Sequence, residues 1–155
     1  GSGIVQVTAQ AGFQVLFVEA DAELVKRGLA RLHETLEELV KRGKIGARDR
    51  DAAVGRIAGT TRLEDLKSSD LVIEAMTENQ ALKNETFAKL DRICPPTTVL
   101  ASNTSSCTVT AMAAAPKRPG QVPGLHFLTP APLLTPALLV ATVAARPEAG
   151  QVQHC

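Results

Sequence analysis

Tryptophan and tyrosine are absent from this sequence, and its four phenylalanines bring the aromatic share to only 3%. So few flat faces exclude a protein that reads single-stranded nucleic acid by base stacking. Neither sign of charge dominates: Lys plus Arg number 17, Asp plus Glu 16, and the formal net charge is +1. That balance argues against electrostatic binding to a phosphate backbone, so no nucleic-acid partner is expected. Cysteine is sparse. Cys94, Cys107 and Cys155 form no Cys-x-x-Cys pair and have no histidine at ligand spacing, so no metal site is expected. Their odd number and wide separation fit a reducing compartment better than a disulfide framework. No secretory leader is legible at Gly1-Ser2-Gly3, a start that reads as cleaved, engineered or truncated. The protein is therefore not expected to be secreted. Charge is missing from Pro119 to Ala145, but Pro123, Pro130, Pro132 and Pro136 interrupt that stretch. No uninterrupted piece approaches the roughly 20 apolar residues a membrane-spanning helix needs.

What remains is ordinary for a folded domain: 155 residues, 45% apolar and 21% charged. Residues 4–11 read as a short helix broken at Gly12. Residues 13–19 are a compact apolar run with β-branched and aromatic members, and read as a buried strand. Asp21 is placed to cap a long helix ending near Arg42, with Gly43 just beyond it. Leu24, Val25, Leu29, Leu32, Leu36, Leu39 and Val40 recur at helical spacing and make its apolar face. A weaker helix is expected over 47–56. Thr61-Arg62-Leu63-Glu64 has the form of a capping box. Strands are expected over 71–75, 98–102 and 121–127, with helices over 79–92 and 108–114. Leu82, Phe87, Leu90 and Ile93 are expected to point inward. After Pro136 the run ALLVATVAA suits a strand or a helix equally. Apolar strands alternating with helices predict an α/β fold with a mainly parallel sheet covered on both faces.

Three groups of residues carry chemistry. Glycines that open a helix after a strand let a pyrophosphate approach the helix N-terminus, and an acidic residue ending the next strand binds ribose hydroxyls. Gly1, Gly3 and Glu19 match the end of such a fingerprint. Equally, the two glycines are an expression scar and Glu19 an ordinary strand-end carboxylate. Glu19, with Asp21 close by and no following Arg, favours NAD over NADP. The second group is the polar run Ser102-Asn103-Thr104-Ser105-Ser106, at a strand's C-terminal end where open α/β sheets bind ligands; a capped polar turn has the same composition. Third, His126 follows an apolar strand. It would serve as a base only with a carboxylate to orient it, and no Asp or Glu occurs between Asp91 and Glu148.

In combination, the segments GSGIVQV, QVLFVEAD, GTTRLEDL, DLVIEAMTENQALKNETFAKLD, ASNTSS and GLHF resemble the NAD-dependent L-3-hydroxyacyl-CoA dehydrogenase family from Gly1 to about Pro132. The resemblance implies a Rossmann-like, doubly wound NAD-binding domain over 1–132 and a divergent tail over 133–155. It also implies NAD-linked interconversion of L-3-hydroxyacyl-CoA and 3-oxoacyl-CoA in fatty-acid metabolism. Gly1 and Gly3 match the last glycines of the family's loop. Glu19 stands where a ribose-binding Asp is usual, and Glu78 and Lys83 match cofactor contacts. Ser105 matches the residue that bonds the substrate oxygen and borders the cofactor, and His126 the catalytic base. Thr35 and Arg42 match positions that contact coenzyme A. Members are usually homodimers, in the cytoplasm of bacteria or the mitochondrial matrix of eukaryotes.

Departures from the pattern accompany these matches. The first strand and first glycines of the family's fingerprint precede this sequence's start, and so the edges of strands 13–19 and 71–75 are expected to be bare. The family's helical C-terminal domain has no counterpart here. Thr129 replaces a cofactor-contacting Asn. Leu138 replaces the Glu that orients the base, and Thr135 the nearby Lys. The alternative implied by these losses is a catalytically inactive, truncated or degenerate paralogue that keeps only the nucleotide-binding scaffold.

Overall fold

The computed structural model describes residues 1–77 and 79–103, and the backbone of 140–144. Helix α1 (Ser2–Gln10) leads into strand β1 (Gln14–Val18). Helix α2 (Ala22–Lys41) begins where the Asp21 carboxylate accepts from the Leu24 amide at 2.8 Å. It ends before Gly43, whose φ of +65° only glycine adopts without strain. Helix α3 (Ala47–Val54), strand β2 (Ile57–Thr60) and a 3-10 helix (Leu63–Ser68) follow. Strand β3 (Leu71–Glu74), helix α4 (Gln80–Ile93) and strand β4 (Val99–Ser102) complete the continuous part. Strand β5 (Val140–Ala144) lies apart in sequence.

The sheet order is β2-β1-β5-β3-β4. Strand β1 pairs parallel with β2, and β3 parallel with β4. Alternation along the strands sends side chains to two cores. Val15, Phe17 and Ile73 pack with Ile4, Val5, Leu32, Leu36 and Ala53 of α1–α3. Val18, Val72 and Leu100 pack with Leu66, Phe87 and Leu90 beneath α4 and the 3-10 helix. Helices thus cover both faces, as expected of a doubly wound sheet.

Four expectations need correction. Strand β2 was not expected between the helix over 47–56 and the turn at 61–64. Its Gly59 is required by packing: a Cβ there would lie 2.6 Å from Val25 Cγ1 and 2.8 Å from Phe17 Cζ. Thr61 caps nothing. Instead the Thr60 hydroxyl accepts from the Arg62 amide at 3.2 Å and donates to Asp65 at 2.5 Å. Leu29 and Leu82, expected inside, are each 38% exposed. The edges of β1 and β3 are not bare, because β5 fills the slot between them. It pairs antiparallel with both, and Thr142 stands opposite Leu16 on one side and Val72 on the other. The ambiguous run after Pro136 is therefore a strand over 140–144. The helix expected over 108–114 and the strand over 121–127 lie outside the described residues.

Candidate active site at the carboxyl edge of the sheet

Strands β1 to β4 all point the same way, so Glu19, Thr60, Glu74 and Ser102 line one edge. Helix α1 starts at that edge. The structure thus places Gly1 and Gly3, at the positive end of a helix, at the same edge as the acid that ends β1.

Glu19 is 5% exposed. Its amide donates to the Thr60 carbonyl at 3.0 Å, which fixes the backbone across the β1–β2 edge. Its Oε2 is buried, with no hydrogen-bond partner among the described residues. An acceptor held dry at this edge fits a hydroxyl-rich ligand such as the ribose of NAD. Burial pushes its pKa above the ordinary glutamate value. Asp21 pushes it the same way. The folded state therefore holds this proton more tightly than the unfolded chain. Ionisation costs stability as pH rises through the shifted range, and Glu19→Gln removes that slope. On the acid side, protonation turns an acceptor into a donor. NADH affinity is expected to fall in mildly acidic buffer in the native protein, and to show no such inflection in Glu19→Gln. Fluorescence titration at several pH values measures this.

A second group lies one strand further along. Glu74 and Lys83 are both fully buried, and Lys83 Nζ is 3.2 Å from Glu74 Oε2. The Ser102 hydroxyl donates to the same oxygen at 2.6 Å, and the Met76 amide donates to Oε1 at 2.5 Å. Helix α4, which carries Lys83, is started by Asn79, whose side chain accepts from the Leu82 amide at 3.1 Å. Neither Glu74 nor its contact with Ser102 was singled out from sequence. The available signal was an acid within an otherwise apolar strand, which needs a cationic or donor partner to be buried.

Thr35 and Arg42 are not brought to this edge. Both are exposed, Thr35 on α2 and Arg42 just past its end, and the Thr35 hydroxyl donates to the Arg31 carbonyl at 2.8 Å. Helical rise puts Arg42 roughly 30 Å along the axis from Asp21. Glu78, Ser105, His126, Thr129 and Leu138 lie outside the described residues. Among the described residues there is no cluster of His, Cys, Asp or Glu suited to a metal ion, and no helix long and apolar enough to cross a membrane.

A doubly wound sheet with a helix N-terminus and a buried acid at its carboxyl edge is a dinucleotide-binding domain in build. The family model for "3-hydroxyacyl-CoA dehydrogenase, NAD binding domain" matches residues 1–150, and the chain belongs to that family. NAD is accordingly the cofactor of the domain. A 3-hydroxybutyryl-CoA dehydrogenase of Mycobacterium tuberculosis is 46% identical over 144 residues, covering 92% of this chain and 50% of the relative. The 3-hydroxyadipyl-CoA dehydrogenase of Escherichia coli is 40% identical over 148 residues, 96% of this chain and 31% of the relative. Among solved structures, FadB2 of M. tuberculosis superposes with a TM-score of 0.81 at 47% identity, over 83% of this chain and 46% of that one. The chain spans about half the length of the first of these curated relatives.

Proposed function

We propose that this domain serves the NAD-linked interconversion of L-3-hydroxyacyl-CoA and 3-oxoacyl-CoA, with acyl-CoA as the substrate class and a homodimer as the assembly. The observation that carries the reading is the buried Oε2 of Glu19, without a hydrogen-bond partner among the described residues, at the sheet edge where α1 begins. Gly1, Gly3 and Glu19 bind the adenosine half of the cofactor, with Glu78, Ser105 and Thr129 nearer the nicotinamide. NAD, when bound, would supply the hydride acceptor for C3 of the hydroxyacyl group. Ser105 holds the substrate oxygen and His126 takes the hydroxyl proton. Thr35 and Arg42 contact coenzyme A, the Arg as a phosphate partner. Names of relatives support the substrate class: 3-hydroxybutyryl-CoA and 3-hydroxyadipyl-CoA dehydrogenases.

The test follows NADH absorbance with acetoacetyl-CoA. Leu138 in place of an orienting carboxylate predicts turnover about 10²–10⁴ slower than an oriented base supports. The expected result is slow consumption that His126→Ala abolishes. Consumption that His126→Ala leaves unchanged, or none at all, contradicts the proposal.

A further inference from the structure

One residue ties together everything that leaves the sheet at β3 and β4. Through its side chain, Glu74 takes the Met76 amide at 2.5 Å, the Ser102 hydroxyl at 2.6 Å and the Lys83 ammonium at 3.2 Å. Through its main-chain carbonyl it takes the Asn103 amide at 2.8 Å. The four groups come from the turn after β3, the end of β4, helix α4 and the segment leading toward Ser105. Glu74, Lys83 and Ser102 are all fully buried. A buried ion pair of this kind is seldom more stable than apolar side chains of the same volume, so stability alone is a weak reason for one here. Its position is the better reason, since ligands of doubly wound sheets sit against these strand ends.

We propose that Glu74 is a positioning residue for the cofactor site. Its carboxylate, neutralised by Lys83, fixes Met76 and its neighbours 75–77, and Asn103, in the arrangement that NAD meets. The inference rests on the reading of this edge as the NAD site.

The test is the paired replacement Glu74→Leu with Lys83→Met, which keeps volume and removes both charges. The expected result is a melting temperature close to that of the native protein, NADH binding weakened at least tenfold, and faster amide hydrogen exchange confined to 75–77 and Asn103. Native NADH affinity in a folded double variant overturns the proposal. Should the double variant not fold, Ser102→Ala removes a single bond. It is expected to weaken NADH binding severalfold with an unchanged melt, and native affinity there overturns the proposal equally. If the native protein binds no NADH, the reading of the site fails. The exchange measurement then still judges the clamp: unchanged protection at Met76 and Asn103 in the variants refutes it.

Discussion

Lys83→Met alone is expected to cost about 3–5 kcal/mol of folding stability, because it leaves the Glu74 carboxylate buried without its cation. For a chain of this size each kcal/mol is worth about 2–4 °C, so the melt should fall by about 6–20 °C. Ser102 and Met76 still donate to Glu74, but two neutral donors do not replace an ammonium at 3.2 Å in a fully buried site. The outcome separates two roles for Lys83. A lysine that only touched the cofactor would lose affinity on substitution and keep its melt. A lysine whose charge is needed inside loses stability first, and adding Glu74→Leu should recover most of it. Thermal melts of the three variants, read by circular dichroism, make the comparison. A native melt for Lys83→Met contradicts the buried pair.

Thr142→Pro is expected to be comparably damaging. Strand β5 has neighbours on both sides, with Thr142 facing Leu16 of β1 and Val72 of β3. Proline has no N–H to give to either ladder, and its ring does not fit a central strand. The lost bond leaves a buried acceptor unmet, which costs about 1–3 kcal/mol before the steric clash is added. Opening the slot also uncovers the facing edges of β1 and β3, and bare apolar edges pair with other chains. The expected result is a lower melt with concentration-dependent association, seen by light scattering. A variant that melts like the native chain and stays monodisperse would mean that β5 does not hold the centre of the sheet.

These two sites also mark where the sequence stops being legible. Locally encoded features read directly: Asp21 and Gly43 bracket α2 because a cap and a left-handed turn each depend on a few neighbouring residues. So did the strand-end placement of Glu19, which follows from one apolar run and its boundary. The rest depended on partners distant in sequence. Gly59 looks like a break until Phe17 and Val25 are seen filling the space beside it. ALLVATVAA has no period that separates strand from helix, and its state is set by β1 and β3, more than sixty residues away. Leu82 lies five residues before Phe87, about 140° round the helix, so its place in the first turn of α4 turns it away from the core that Phe87 and Leu90 enter. Glu74 was visible as an acid among apolar residues, but what neutralises it lies nine positions later on a helix.

Mapping NADH onto the isotope-labelled chain by amide chemical shifts tests the central claim most directly. The account predicts that the shifts gather at the start of α1, at Glu19 to Asp21, at Met76 to Asn79 and at Asn103, and that NADPH at the same concentration produces smaller ones. Shifts that gather instead along α2 around Thr35 and Arg42, or at the opposite edge of the sheet near Gln14 and Ile57, would contradict it.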